Sequence, residues 1–276
     1  ISLAAASTDS WQIDPLCAAV RSATAAGITV VVAAGNYGKD ANGNVVYGSI
    51  AAPGNDPSVI TVGSLNTKGT ADRGDDTVNA FSSRGPTRSS YLDGLGVRRS
   101  DNLLKPDLVA PGNAIIGAAS TKAIASRPTW NDIATRHYSS LMQATNIAQA
   151  YGETQMYLSG TSIAAPAVSG AVALMLQANP GLTPALIKAM LQYSATAQSG
   201  AKLIDQGAGL LNVTGAVAMA KALRTDIAQG IAAGSIVAGT NLLAAGQSLP
   251  TPSTTYTPPK GKAVTTNWSR IVFVGG

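Results

Sequence analysis

The chain has 276 residues, of which only 12% are charged, roughly half of the 25% found in an average globular protein. The apolar share of 45% excludes a disordered chain, and the length suits one large α/β domain or two small ones. The net charge is +5, but the basic residues are spread thinly from residue 21 to residue 270. This is not the pattern of a nucleic-acid-binding protein.

The apolar segments of the first half predict a helix followed by buried strands. Residues 16–26 have helical apolar spacing, whereas residues 28–34 form a β-branched run without polar alternation. Such a run is typical of a strand covered on both faces. A second such strand is predicted at residues 58–63, and residues 108–110 with 114–116 form a third strand region.

Two helices are predicted in the second half, at residues 162–178 and 184–194. The second begins with a capping residue, Thr183, and a proline at its first position, which is a common helix start. The uncharged run at residues 163–187 is long enough for a membrane span, but its prolines and polar residues favour a buried helix followed by a turn. Helices that alternate with buried strands predict an α/β fold with a mainly parallel sheet.

Charge and composition divide the rest of the chain. Residues 84–105 form the densest basic stretch, but aspartates are interleaved with its arginines and lysine, so a solvated loop is predicted rather than a phosphate-binding patch.

Residues 227–259 carry no charge. We therefore expect a main domain at residues 1–226, a connector rich in Gly, Ala, Pro and Thr at residues 227–262, and a further β segment at residues 263–276 with a strand at 268–274.

The chain has one cysteine and one histidine, which limits its chemistry. Cys17 lies in the first predicted helix and is expected to be a buried structural thiol, since it has no partner for a disulfide. His137 cannot form a histidine-rich zinc site alone. Any general base that is a histidine must therefore be His137 or come from outside this chain.

The loop at residues 40–44 has alternating oxygen-bearing side chains, as a calcium loop would. Val45 and Ala51 stand where the EF-hand pattern requires glycine and glutamate. A hairpin turn at Asn42 and Gly43 is therefore favoured, and no metal ligands are predicted.

The segment at residues 159–166, Ser-Gly-Thr-Ser-Ile-Ala-Ala-Pro, leads directly into a predicted helix. A serine at a helix start is usually only a cap. Here the small neighbours would let a peptide backbone approach Ser162, and the free amides of the helix start would favour an oxyanion beside it.

This segment resembles the nucleophile motif of the subtilisin-like serine proteases, and three further segments match in the family's order. They are Val-Val-Val-Ala-Ala-Gly-Asn at residues 30–36, Phe-Ser-Ser-Arg-Gly-Pro at 81–86 and Lys-Pro-Asp-Leu-Val-Ala-Pro-Gly at 105–112. The resemblance covers roughly residues 1–222. It implies a subtilisin-like three-layer α/β fold, incomplete at the N-terminus, with residues 1–226 as the C-terminal portion of a peptidase domain.

The resemblance also implies roles for individual residues. Ser162 would be the nucleophile, and Asn36 would stabilise the oxyanion together with the backbone amide of Ser162. In the family, losing such a donor lowers turnover about 10²–10³-fold, as the well-known subtilisin case illustrates. The implied substrate-binding residues are Ser2, Leu3 and Ala4 as the substrate-pairing strand, Ala33, Ala34 and Gly35 as a pocket wall, and Pro53 and Gly54 in the pocket floor, with a cis bond before Pro53.

Two features depart from the family. Glycine usually stands where Ala4 is found, so an extra methyl group would crowd the substrate. The His and Asp motifs of the catalytic triad are absent, and the resemblance places both upstream of Ile1. We therefore expect the missing N-terminal part of the same protease as a partner, and we expect His137, in an insertion at residues 121–156, to be an exposed polar residue rather than the base.

The sequence thus predicts a serine endopeptidase acting on protein or peptide substrates, inactive without its upstream segment. The alternative is a catalytically silent peptide-binding or scaffold protein with the same fold. A sedolisin-type peptidase is disfavoured because it would have aspartate where Asn36 stands. The resemblance further implies secretion and no required cofactor; calcium is common in the family, but no residues locate a site. Nucleic-acid partners and a membrane span are not expected.

Overall fold

A computed structural model describes residues 1–70, 72–119, 154–257 and 262–273. The helices are α1 Pro15–Ala25, α2 Thr161–Ala178, α3 Pro184–Ser194, α4 Leu203–Gln206, α5 Val213–Ala222 and α6 Ile227–Ala232. The strands are β1 Val31–Ala33, β2 Ile60–Asn66, β3 Thr77–Val78, β4 Ser90–Leu92, β5 Arg98–Ser100, β6 Leu108–Pro111, β7 Ile115–Ala119, β8 Thr154–Leu158, β9 Ser253–Tyr256 and β10 Val264–Asn267.

The central sheet is mainly parallel, as the sequence predicts. Strand β2 lies in the middle and pairs in parallel with β1 on one side and β6 on the other. The short strand β3 pairs in antiparallel register with the C-terminal end of β2. Every residue of β1 is buried, which explains why this segment lacks polar alternation.

Helices cover both faces of this sheet and make a three-layer arrangement. On one face, Val31 and Ala33 share a core with Val168 and Met175 of α2. On the other face, Val30 and Val32 pack with Val20 of α1. Neighbouring residues of one strand therefore enter two different cores, as the alternation of side chains along a strand requires.

Helix α2 begins at Thr161, one residue before its predicted start. It is long and apolar enough to cross a membrane by length and composition alone. Its small residues Ala164, Ala165 and Ala171 are buried against the sheet, so its apolar character serves the core of the domain.

Cys17 is buried in α1, as expected. Its thiol donates a hydrogen bond to Oδ1 of Asn55 at 3.1 Å. Burial, aided by the nearby carboxylates of Asp14 and Asp56, raises the pKa of the Cys17 thiol to about 12, so the thiol stays protonated and structural.

The strand expected at residues 114–116 is found as β7, but its partner was not predicted. Strand β8 pairs with β7 in antiparallel register, with Ile115 opposite Leu158. The start of β8 falls at the end of the expected insertion. The rest of that insertion, with His137, lies outside the described residues.

The prediction of a solvated loop at residues 84–105 is wrong at both ends. Arg84 is buried, its Nε lies 3.0 Å from Oδ1 of Asp205, and its Nη1 donates to Gly38 O at 3.1 Å. Lys105 is fully buried. Most of their partners, among them Asp205 for Arg84 and Thr61 for Lys105, are distant in sequence, so the local alternation of charges gives no sign of burial. Between them, Arg88 and the two arginines of the β4–β5 hairpin, Arg98 and Arg99, are exposed.

The strand of this region is β10, which ends at Asn267, before the strand expected at residues 268–274. It pairs with β9, which lies inside the predicted connector. Trp268 follows β10 and is buried in the same core as α2, with its Nε1 donating to Oγ1 of Thr254 at 2.8 Å. The apolar run therefore reflects core packing rather than strand pairing. The division at residues 226 and 262 stays a prediction.

Candidate active site

Ser162 lies in the first turn of α2 and contacts the N-terminal segment of the chain. Its Oγ donates a hydrogen bond to Ser2 O at 3.1 Å. In return, Ser2 Oγ donates to Ser162 O at 2.9 Å. These two bonds bring together residues that are 160 positions apart in sequence.

Asn36 lies three residues after the end of β1 and contacts the start of α2. Its Oδ1 accepts hydrogen bonds from Thr161 N at 3.0 Å and from Thr161 Oγ1 at 3.1 Å. The same threonine hydroxyl accepts from Gly35 N at 3.1 Å. With Oδ1 held in this way, Nδ2 of the exposed Asn36 is left as a free donor, since no partner for it is found among the described residues.

The two predicted oxyanion donors face a common small space beside Gly160. A Cβ on Gly160 would lie 3.5 Å from Asn36 Nδ2 and 3.7 Å from Ser162 N. Because glycine has no Cβ, that space is open. An oxygen atom near this point could be approached by a side-chain amide from β1 and a backbone amide from α2.

Gly35 lets the chain turn sharply between β1 and Asn36. Its φ is +103°, and a Cβ there would lie 2.9 Å from Ser83 Oγ and 3.0 Å from Ala51 Cβ. Glycine alone tolerates both this backbone conformation and this crowding. The end of β1 is thus fixed by residues from two neighbouring loops.

The segment at residues 2–4 is anchored at both ends and open between them. Ile1 O accepts from Ala33 N at 3.1 Å, and Ala5 exchanges two backbone hydrogen bonds with Ala52, at 2.9 and 3.0 Å. Ser2, Leu3 and Ala4 are exposed. Within the described ranges, the backbone N–H and C=O groups of Leu3 and Ala4 have no hydrogen-bond partner, as an extended peptide would require to add a strand there.

The predicted wall and floor of the pocket contact each other. Ala51 N donates to Ala34 O at 3.0 Å, and a Cβ on Gly54 would lie 2.9 Å from Ala51 O and 3.2 Å from Ala33 O. The peptide bond before Pro53 is cis. The structure therefore brings together all three stretches: residues 2–4, 33–35 and 52–54.

Among the described residues, no side chain that could act as a base is hydrogen-bonded to Ser162 Oγ. Its hydroxyl hydrogen bond goes to a peptide carbonyl, which is far too weak a base to take a proton from an alcohol. His137 lies outside the described residues. In the part of the chain that the structure describes, the hydroxyl is therefore positioned but not activated.

The loop at residues 40–44 is a hydrogen-bonded turn. The carboxylate of Asp40 accepts from Asn42 N, Asn44 N and Asn44 Nδ2, at 2.9, 2.8 and 3.0 Å. These hydrogen bonds hold the pKa of Asp40 below its usual value, and the bond from the Asn44 side chain contributes most. Together with the bond from Gly43 N to Asp40 O at 3.0 Å, they form the turn expected at Asn42 and Gly43. No cluster of three or more His, Cys, Asp or Glu side chains that could hold a metal is found among the described residues.

Thr161 is the residue that the sequence reasoning missed. It is fully buried and links β1, Asn36 and α2 through three hydrogen bonds. Its position between the glycine and serine of the motif was visible in the sequence. The signal was a β-branched side chain with a hydroxyl in a run of otherwise small residues. If such a hydroxyl is buried, it needs a hydrogen-bond partner.

Comparison with known proteins matches this chain to one family. The Peptidase_S8 profile, described as the subtilase family, matches residues 1–216. Serine protease AprX of Bacillus subtilis (strain 168) is 37% identical over 209 residues, which cover 76% of this chain and 39% of AprX. The chain thus spans well under half of that relative.

Solved structures give the same fold. The patellamide maturation protease PatA matches with a TM-score of 0.51 and 25% identity over 80% of this chain and 61% of that one. A protease from Pseudoalteromonas arctica PAMC 21717 matches with a TM-score of 0.52 and 23% identity, over 80% of this chain and 50% of that one. These neighbours are subtilisin-fold proteases, in agreement with the α/β arrangement described above.

Proposed function

Because the chain belongs to the subtilase family, we propose that it is the portion of a secreted serine endopeptidase that carries the nucleophile, Ser162, and an oxyanion-binding amide, Asn36. The observation that carries the proposal is the convergence of Asn36 Nδ2 and Ser162 N on the space beside Gly160. A helix cap alone would not require a second donor from another element.

The chemistry follows from these positions. A peptide substrate pairs with the segment at residues 2–4, whose backbone is open at Leu3 and Ala4, and its side chain enters between residues 33–35 and 52–54. Ser162 Oγ attacks the scissile carbonyl carbon while a base takes the hydroxyl proton. The carbonyl oxygen becomes an oxyanion that accepts from Asn36 Nδ2 and Ser162 N. The C–N bond then breaks, the amine leaves with the proton from the base, and water hydrolyses the acyl-enzyme in the same two steps.

The base must come from residues that the structure does not describe. We propose that an Asp and His pair is supplied by the N-terminal part of the same protease. When that base is present, the hydroxyl would exchange its weak partner, Ser2 O, for the imidazole. The alternative is a catalytically silent peptide-binding protein with the same fold, and one experiment separates the two.

The experiment measures labelling by a fluorophosphonate and cleavage of a peptide library. The chain is tested alone and together with the segment encoded upstream of it. We expect labelling and cleavage only with the upstream segment, and we expect Ser162→Ala to abolish both. Ser169→Ala is the matched control because Ser169 lies on the same helix and only donates to Ala165 O, at 3.1 Å.

Other results would reject parts of the proposal. A complemented chain that binds peptides but is never labelled would support the silent alternative. Labelling of the chain alone that is lost in His137→Ala would identify His137 as the base and exclude the upstream histidine.

A further inference from the structure

The predicted pocket floor is held in place by the hydroxyl of Thr61. This residue lies on β2 and is fully buried, and its Oγ1 donates a hydrogen bond to Gly54 O at 2.6 Å. Among the described residues, no other hydrogen bond to Gly54 O is found. The position of this carbonyl, and of the turn that follows Pro53, therefore depends on one hydroxyl group.

Close packing joins Thr61 to both sides of the predicted pocket. A Cβ on Gly54 would lie 2.9 Å from Ala51 O, 3.1 Å from Thr61 Cγ2 and 3.2 Å from Ala33 O. Ala33 belongs to the predicted wall and Gly54 to the predicted floor, so wall, floor and Thr61 meet at this point. A displaced Thr61 side chain would therefore change the spacing between floor and wall, where the substrate side chain is expected to enter.

Lys105 determines the direction in which the Thr61 hydroxyl donates. The Lys105 side chain is fully buried, and its Nζ donates to Val59 O at 3.1 Å, to Thr61 Oγ1 at 2.8 Å and to Asp107 Oδ2 at 2.8 Å. An ammonium group has three N–H donors, and each of these oxygens accepts one of them. Because Thr61 Oγ1 accepts from Lys105, its own proton is directed to Gly54 O.

The charge of Lys105 is balanced by a carboxylate that it shares with a second lysine. Asp107 Oδ1 lies 3.0 Å from Lys188 Nζ, and Asp107 Oδ2 also accepts from Thr61 N at 2.7 Å. Burial lowers the pKa of Lys105 to about 7; Asp107 opposes this shift and Lys188 adds to it. Removing the Lys105 ammonium would thus leave a neutral pair of Asp107 and Lys188, so Lys105 can be varied without leaving an unpaired buried charge.

We propose that Thr61, oriented by Lys105, is a positioning residue that sets the affinity of the pocket for the substrate side chain. The inference rests on the proposed function, because Gly54 affects substrate binding only if residues 52–54 form the pocket floor. Thr61 is fully buried and acts through Gly54 rather than by touching the substrate. Loss of its hydroxyl should weaken binding of a side chain in the pocket and leave unchanged the binding that residues 2–4 provide.

The test measures equilibrium binding of fluorescein-labelled peptides that differ only at the residue whose side chain enters the pocket: glycine, alanine, leucine or phenylalanine. The chain is used with its upstream segment and with Ser162→Ala, so that no peptide is cleaved, at about pH 6, where Lys105 is mainly charged. We expect Thr61→Val to weaken binding of the preferred peptide about five- to tenfold, as for the loss of one hydrogen bond. Binding of the glycine peptide should change less than about twofold.

Three further variants separate positioning from general stability. Thr61→Ser keeps the hydroxyl and should restore most of the affinity, whereas Lys105→Met should weaken binding of the same peptide as Thr61→Val does. Thr87→Val is the matched control, because Thr87 is also fully buried and its Oγ1 accepts from Leu103 N at 2.8 Å, away from the pocket. We expect Thr87→Val to lower the melting temperature without changing the preference among the peptides.

The inference is wrong if Thr61→Val weakens binding of all four peptides equally, or if Thr87→Val changes the preference as much. A parent protein that binds the glycine peptide as tightly as the others would also overturn it. If Thr61→Val does not fold, Lys105→Met decides by the same criteria. Failure of the proposed function has a different result: the protein with Ser162 intact is neither labelled nor cleaves peptides, yet the variants still change the preference in binding.

Discussion

Thr161 holds the carboxamide of Asn36 through two hydrogen bonds, from its backbone N–H at 3.0 Å and from its Oγ1 at 3.1 Å. Both bonds end on Oδ1, so they determine which end of the amide faces outward. The proposed mechanism requires Nδ2 to be held in place, because a donor that must first reorient stabilises the transition state less. Thr161 is therefore a positioning residue in the proposed enzyme.

Thr161→Val should lower turnover about tenfold in the complemented enzyme, because it removes one bond to Asn36 while keeping the shape of the side chain. KM should change little, since Thr161 is buried and is not expected to touch the substrate. Steady-state kinetics on one peptide separates the two parameters. Thr161→Ser keeps the hydroxyl and should retain most of the activity. A positioning role would be contradicted if both variants lost kcat/KM equally and the loss came entirely from a higher KM.

Gly35→Ala should destabilise the fold by at least about 2 kcal/mol, because it combines a positive φ of +103° with contacts of 2.9 and 3.0 Å. Gly43→Ala is the matched control: its φ is +82°, but nothing lies within 4 Å of the added Cβ. We expect the control to cost about 1 kcal/mol. Urea unfolding of both variants gives the comparison, and equal losses would mean that the packing around Gly35 can relax.

The parts of the site that the sequence predicted are those encoded in short, continuous segments. The β-branched run ending at Asn36 and the apolar helix beginning beside Ser162 both have local periodicity that reports burial. Their proximity followed only from the family resemblance, because nothing in either segment specifies a contact across 125 residues. The bond between Ser162 and Ser2 was likewise not predictable from periodicity.

The errors share a physical cause. Arg84 and Lys105 look solvated in sequence because aspartates surround them, yet their buried partners depend on how β6, α3 and α4 pack. Trp268 looks like a strand residue because it is apolar, yet it fills the core beside α5. In each case tertiary contacts outweigh the local pattern.

Cys17 should resist thiol reagents in the folded protein. Burial raises the pKa of its thiol to about 12, so the reactive thiolate is scarce at neutral pH, and its side chain is shielded by α1. Ellman's reagent should therefore react at the rate of global unfolding and rapidly in urea. Fast, complete reaction in native buffer would show that α1 opens independently of the sheet.

Acid should destabilise the fold through Asp107, which is fully surrounded by donors. Its Oδ2 accepts from Thr61 N at 2.7 Å and Lys105 Nζ at 2.8 Å, and its Oδ1 accepts from Gln192 Nε2 at 3.0 Å. Lys188 Nζ lies 3.0 Å from Oδ1. Burial by itself would raise the pKa of Asp107, but the two ammonium groups and these hydrogen bonds hold it below its usual value.

The sign of the effect follows from that lowered pKa. A carboxyl whose pKa is lower in the folded state stabilises the fold fully above its unfolded value, near about pH 4, and this contribution disappears as the pH falls through the folded value. The free energy of unfolding should therefore drop below about pH 4. Asp107→Asn should remove this part of the drop and cost up to about 3–5 kcal/mol at neutral pH, because Lys188 loses its counter-charge and Lys105, whose pKa burial already lowers to about 7, is left buried without an ionic partner.

The double variant Asp107→Asn/Lys105→Met tests whether uncompensated charge is the cause. Replacing one ammonium with an apolar side chain of similar length should recover part of the loss at neutral pH, since a buried ion pair can be replaced by apolar groups at little cost. Urea unfolding between about pH 3 and pH 8 provides the measurement. A double variant no more stable than Asp107→Asn would mean that the hydrogen bonds to Thr61 and Gln192, rather than the charges, make this aspartate necessary.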